Sequence, residues 1–192
     1  MSYFYSMIRS IKLFKMKHLL LVITTLTICQ FASAQQLPNQ PATDTANNSA
    51  PYMRYPTIPP FHLLKLDSTS YLTKDDLPKN RKTIVMYFSP TCEHCKHQTE
   101  AILADSKDFK DIEIVMATYM PFDEMKQFDE HYKIYEHPNI KIGRDEKFVL
   151  PPFYRIRNLP YLALYDKRGN LITTFEGTQK TDTLLNAFNN KR

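Results

Sequence analysis

From about residue 60 onward the chain alternates short apolar runs with amphipathic, more polar stretches. Residues 61–66 (FHLLKL) read as a short strand, 67–70 (DSTS) as a turn, and Tyr71 and Leu72 as a second extended segment. Leu77 closes a short helical turn. Residues 83–88 (TIVMYF) are near-continuously apolar and β-favouring, which suits a central strand buried on both faces. Ser89-Pro90-Thr91 ends that run, because Pro90 cannot donate to a ladder and holds Ser89 extended. A helix is expected over 92–109, with Cys95, Thr99, Ile102, Leu103 and Ser106 on one face of a 3.6-residue period. Residues 112–117 (IEIVMA) read as the next strand. A polar helix over 123–135 carries Met125, Phe128, Tyr132 and Tyr135 as its apolar stripe. Residues 140–142 (IKI) form a short strand before Gly143. A helix over 145–156 is perturbed by Pro151-Pro152. Residues 161–165 and 171–175 flank DKRGN as a hairpin, and Thr181 or Asp182 caps a last helix to about Asn189. Strand–helix alternation followed by a hairpin and a terminal helix predicts an α/β fold, a central mixed sheet flanked by helices on both faces.

The segment before residue 60 has a different character. Residues 35–59 are rich in Gln, Asn, Pro, Thr and Ala and read as a flexible linker. Residues 1–34 read as a signal peptide. A basic stretch ends at Lys17 and His18, an apolar run covers 19–28, and Ala32-Ser33-Ala34 gives a cleavage pattern before Gln35. The apolar run is about half the ~20 residues that a spanning helix needs, which disfavours an uncleaved anchor. Lipid attachment at Cys29 is a further alternative, although Ile28 is not the small residue such signals carry. Met16 by itself begins a compact signal, which leaves the true start open. Domain organisation is therefore 1–34 signal peptide, 35–59 linker and 60–192 folded domain, and the expected location is the periplasm or cell envelope.

Charge sharpens this picture. The formal charge is +5, but Arg9, Lys12, Lys15 and Lys17 lie in the leader, where no acid balances them. The remainder is close to neutral, which gives no reason to expect a nucleic-acid partner.

Without the leader, two cysteines remain, Cys92 and Cys95, spaced C-x-x-C. A disulfide between them closes a very small loop and stabilises by only about 2 kcal/mol, so chemistry explains the pair better than stapling does. The motif follows a buried strand and opens a helix. Cys92 then meets unpaired backbone N–H groups at the positive end of the helix dipole, which favours a thiolate. Glu93 and His94 stand between the thiols as candidate tuning residues; the alternative for His94 is a solvent-facing spacer. Helix phase puts Cys95 on the apolar face and Cys92 at the exposed tip. Cys92 is therefore expected to attack a partner's sulfur and Cys95 to resolve the mixed disulfide. A zinc or copper site would need further ligands from His62, His94, His97, His131 or His137, and their spacing is awkward for a tetrahedron.

Three segments carry a family resemblance: residues 83–95 (TIVMYFSPTCEHC), 158–170 (NLPYLALYDKRGN) and 175–177 (FEG). With them the chain resembles the thioredoxin-like superfamily, most of all the TlpA-like envelope thiol–disulfide oxidoreductases. The resemblance covers about residues 60–190 and is weak across 121–152. It implies a thioredoxin fold with an N-terminal strand extension and a central helix–strand insertion. It also implies a cis bond before Pro160, beside the redox pair, with Leu159 offering backbone groups to an extended substrate and Thr91 as a further substrate contact. Two departures stand out. Thr91 replaces the Trp that precedes the first cysteine in thioredoxins proper, and Met86 replaces their buried Asp. The group that deprotonates Cys95 is open among Tyr87, Glu93 and Lys82. His94 is shared with more oxidising members, so the direction of electron flow is open too.

The expected activity is exchange of disulfides with protein substrates, as a reductase by family prior. It would need no cofactor beyond the dithiol, a membrane electron donor, and no partner copy, the chain acting as a monomer. The alternatives are a metal-handling protein on the same fold and a non-catalytic interaction domain.

Overall fold

The computed structural model describes residues 49–189. The leader and the first part of the linker lie outside the described residues. The described part opens with α1 (Pro51–Arg54), followed by β1 (His62–Leu64), β2 (Tyr71–Thr73), a 3-10 turn, and β3 (Lys82–Tyr87). Next come α2 (Glu93–Ala104), α3 (Ser106–Phe109), β4 (Ile112–Thr118), α4 (Phe122–Tyr132), a second 3-10 turn, and β5 (Ile140–Arg144). The chain closes with α5 (Leu150–Tyr154), β6 (Tyr161–Tyr165), β7 (Leu171–Glu176) and α6 (Thr181–Ala187).

The seven strands form one sheet in the order β2-β1-β5-β4-β3-β6-β7. β3, β4 and β5 run parallel, while β1, β2, β6 and β7 join by antiparallel pairs. Alternation along each strand splits the apolar runs between two faces. Ile84, Met86, Phe88, Ile114, Met116, Leu162 and Leu164 pack with Cys95 and Ile102 of α2, Met125 and Phe128 of α4 and Leu184 of α6. Val85, Tyr87, Val115, Ala117, Tyr161, Ala163 and Tyr165 pack on the other face against Leu150 and Tyr154 of α5. A continuous apolar run is what a strand with two buried faces requires, and each large side chain so buried contributes roughly 1.5–3 kcal/mol of transfer free energy.

The strands fall where the pattern places them, and several helices do not. The expected 92–109 helix breaks at Asp105, whose carboxylate accepts the Thr181 hydroxyl of α6 at 2.6 Å; the chain then re-enters a short helix that buries Phe109. The expected 123–135 helix stops at Tyr132 because Lys133 takes a left-handed conformation. That turn sends Ile134 into the core and leaves Tyr135 exposed, so Tyr135 is not part of the stripe. The expected 145–156 helix shrinks to Leu150–Tyr154. Asp145 is buried and its carboxylate accepts the N–H groups of Val149 and Leu150, so it holds the approach to the helix rather than its first turn. Pro151 and Pro152 are tolerated there because first-turn N–H groups have no helical partner. Lys180, not Thr181 or Asp182, occupies the N-cap of α6, since the Thr181 hydroxyl is engaged with Asp105.

Order also begins before residue 60. Leu171 donates to the Pro56 carbonyl at 2.7 Å, Thr57 bridges to Asn170, and Ile58 is buried. Residues 51–58 of the expected linker are therefore part of the domain, held by β-type hydrogen bonds and one apolar anchor.

Candidate active site

The parallel strands β3, β4 and β5 end on one side of the sheet, and the cysteine pair sits on the continuation of β3. Phe88 still donates to the Ala117 carbonyl at 3.0 Å, and then the chain turns, with Cys92 N–H donating to Ser89 O at 3.1 Å. The Ser89 and Thr91 hydroxyls share a 3.0 Å hydrogen bond that stiffens this turn. Cys92 is the N-cap of α2, with extended backbone, and its sulfur accepts the Cys95 backbone N–H at 3.3 Å. A cysteine here replaces the Ser or Asp oxygen that ordinarily satisfies a first-turn donor. The donor is aimed at the sulfur, and it binds more strongly as the sulfur gains negative charge.

The two thiols differ in access. Both are free; Cys92 is half-buried and Cys95 is wholly buried in the core of the α2 face. Burial pushes the Cys95 thiol well above the usual range, and the adjoining Cys92 sulfur adds to this. Glu93 is exposed and paired with Lys96 at 2.7 Å, which holds its carboxyl below the usual carboxylate range. His94 is exposed, and its carbonyl accepts the Thr178 hydroxyl at 3.1 Å.

The candidate proton acceptors for Cys95 separate by position. Tyr87 is buried on the opposite face of the sheet from Cys95. Lys82 begins β3, at the end of the strand away from the cysteines, with its ammonium over the Phe188 ring. Neither belongs to the site. Glu93 lies nearby but turns outward to Lys96. Met86, in the place of the thioredoxin Asp, is fully buried beside Cys95 in the same cluster.

Tyr87 pairs with Tyr161 across β3 and β6, so Leu159 and Pro160 come alongside the end of β3. The Leu159–Pro160 bond is cis, as the resemblance implies. Gly177 donates to the Pro160 carbonyl at 2.8 Å, the last rung of the β6–β7 ladder, and Leu159 lies one residue beyond it. Leu159 is half-buried against the cluster that Cys92 also borders. The structure thus brings Thr91, Cys92, Cys95, Leu159 and Pro160 to one end of the sheet.

Sequence reasoning missed Gln98. It is fully buried on α2, one turn past Cys95, and its side-chain oxygen accepts the Gln179 N–H at 2.7 Å. With the Thr178–His94 bond, this ties the loop after β7 to the first turns of α2. The available signal was a polar residue on the Cys95 face of the helix. It also missed a groove between the Pro90–Thr91 turn and α4. Among the described residues no group of three or more His, Cys, Asp or Glu side chains is placed to hold a metal ion, and no helix is long and apolar enough to cross a membrane.

A family model described as a thioredoxin-like domain matches residues 73–192. The chain belongs to the thioredoxin-like family. Solved structures with this thioredoxin-like architecture include a secreted Mycobacterium tuberculosis disulfide oxidoreductase homologous to E. coli DsbE. It is 15% identical, with a TM-score of 0.56 over 67% of this chain and 94% of that one. The M. tuberculosis protein dsbF is 16% identical, with a TM-score of 0.58 over 69% and 98%. The exposed lipoprotein thioredoxin of Streptococcus pneumoniae is 21% identical, with a TM-score of 0.54 over 68% and 98%. At these identities the likeness is one of fold. A comparison with curated proteins finds no match.

Proposed function

We propose that this chain is an exported thiol–disulfide oxidoreductase that reduces disulfides of protein partners. One observation carries the reading: two free thiols share one helix turn, with Cys92 accessible at the N-cap and Cys95 sealed beneath it. The Cys92 thiolate attacks one sulfur of a partner disulfide. That S–S bond breaks, a Cys92–partner disulfide forms, and the first partner sulfur leaves as a thiolate. Cys95 then gives up its proton to solvent and attacks the Cys92 sulfur. The mixed disulfide breaks, the second partner thiolate leaves, and Cys92 and Cys95 are joined. Two electrons have passed to the partner, and a reduced donor on the membrane must return them. Leu159, beyond the last rung of its ladder, offers backbone groups to an extended partner segment, and Thr91 flanks it.

Export is supported by the leader pattern of residues 1–34 and by neighbours described as secreted or as an exposed lipoprotein. The test is dithiol-driven reduction of insulin by the mature chain. Wild type should accelerate it and Cys92→Ala should not. A reduction potential near −270 mV supports the reducing direction, and one near −120 mV reverses it. Equal insulin reduction by wild type and Cys92→Ala would sink the reading.

A further inference from the structure

The β6–β7 ladder stops one residue short of Leu159. Its last rung is the Gly177 N–H on the Pro160 carbonyl at 2.8 Å. The same register would set Thr178 opposite Leu159. Instead Gly177 turns with a φ of 76°, the Thr178 hydroxyl donates to the His94 carbonyl at 3.1 Å, and the Gln179 N–H donates to Gln98 at 2.7 Å. The chain after β7 is drawn to α2. The Leu159 N–H and carbonyl are left without a hydrogen-bond partner among the described residues. Such a free backbone edge suits an extended partner segment, provided the loop that carries it stays in place.

That loop has few holds. Ile156 donates to the Pro151 carbonyl at 3.1 Å. Between Ile156 and Pro160, the hydrogen bonds among the described residues all run to one side chain, the Glu176 carboxylate at the end of β7. Its Oε2 accepts the Asn158 Nδ2 at 2.9 Å, and its Oε1 accepts the Arg157 N–H at 3.4 Å. Glu176 is exposed, and an exposed carboxylate at a strand end is ordinarily left to water. Here both oxygens are committed to the two residues that precede Leu159, and bonds to a charged acceptor are the stronger kind. Glu176 also pairs with Tyr161 in the ladder. Leu159 is thus bracketed, by the Glu176 side chain before it and by the Gly177 rung after it.

We propose that Glu176 is a positioning residue for disulfide exchange: its carboxylate holds Arg157 and Asn158 so that the free Leu159 backbone meets the partner polypeptide in register. This rests on the reading of Cys92 as the attacking thiol. Glu176 does not touch the reacting sulfurs. It acts on partners that have a backbone to pair, and a small disulfide has none.

The probes are a short peptide whose single cysteine is held as a mixed disulfide with thionitrobenzoate, and dithiobisnitrobenzoate itself. In the first, the Cys92 thiolate attacks the peptide sulfur, the S–S bond breaks, and thionitrobenzoate leaves as the more acidic thiol. The same leaving group is released from both probes and is followed by absorbance with the reduced mature chain. Glu176→Ala should lower the ratio of the peptide rate to the dithiobisnitrobenzoate rate about fivefold, the loss of roughly one hydrogen bond. Glu176→Gln keeps an acceptor oxygen for Asn158 and should restore the ratio to within about twofold of wild type. Asn158→Ala should lower it as Glu176→Ala does, and the double variant should be no worse than Glu176→Ala alone, because the two side chains make one contact. Glu130→Ala, which removes an exposed charge on α4, should keep the wild-type ratio. A wild-type ratio in Glu176→Ala, a Glu176→Gln variant as low as Glu176→Ala, or additive losses in the double variant would overturn the proposal and leave the redox reading standing. No release from either probe by wild type would overturn both.

Discussion

The side-chain oxygen of Gln98 accepts the backbone N–H of Gln179 at 2.7 Å, across 81 residues of sequence. This contact fixes the loop after β7 against the helix that presents the thiols. Gln98→Ala leaves the part-buried Gln179 backbone donor without its partner. It should cost about 1–3 kcal/mol of stability, read by urea unfolding, and should slow peptide exchange more than exchange with a small disulfide. An unchanged midpoint would show that the contact holds nothing.

The Cys95 thiol is raised by burial, so at neutral pH almost all of it is protonated. Closure of the internal disulfide from a Cys92 mixed disulfide should therefore speed up about tenfold per pH unit, without levelling off at the ordinary thiol value near 8.5. Stopped-flow closure rates after mixing with oxidised glutathione check this. A plateau near that value would mean that Cys95 is wetter than its surroundings imply.

Asp129 on α4 is buried, with Oδ1 unpartnered. Burial raises its carboxyl, and the neighbouring Glu130 charge adds to that. A folded-state pKa above the unfolded one means that stability is fully present below the ordinary carboxylate range and is lost as pH rises through the folded value. Asp129→Asn removes that loss. It should raise Tm at pH 7 by roughly 2–4 °C, about 1 kcal/mol, and the gain should fade toward pH 3. Thermal melts at the two pH values decide, and a lowered Tm at pH 7 would refute the account.

Gly143 on β5 sits tight against β1. A Cβ there would meet the Leu63 Cβ at 2.7 Å and the Leu64 carbonyl at 3.2 Å. Gly143→Ala should destabilise by about 1–3 kcal/mol through overpacking and detach the β2–β1 edge first. Hydrogen exchange of β1 amides measures this; unchanged protection would contradict it.

Much of this architecture is legible in the sequence, because apolar runs such as residues 83–88 and 112–117 answer to a local rule: both faces of a central strand are buried. Helix limits answer to hydrogen-bond capture and backbone turns that apolar spacing does not show. Asp105 ends α2 through Thr181, Asp145 shortens α5 by capturing two N–H groups, and Lys133 ends α4 by turning left-handed. The site divides in the same way. The contrast between Cys92 and Cys95 follows from helix phase and could be read from residue spacing. The contacts of Gln98 and Thr178 depend on segments distant in sequence meeting in space. Of the candidate proton acceptors, strand alternation sends Tyr87 to the other face and strand length sends Lys82 to the far end.

The most direct test traps the first intermediate. Cys95→Ala and Cys92→Ala variants of the mature chain are each mixed with a disulfide-bonded protein such as insulin, and adducts are weighed by mass spectrometry. An adduct joined through Cys92 in the Cys95→Ala variant, with none through Cys95 in the Cys92→Ala variant, is the expected result. Equal adduct formation by both variants, or an adduct through Cys95 alone, would contradict an exposed attacking thiol and a buried resolving one.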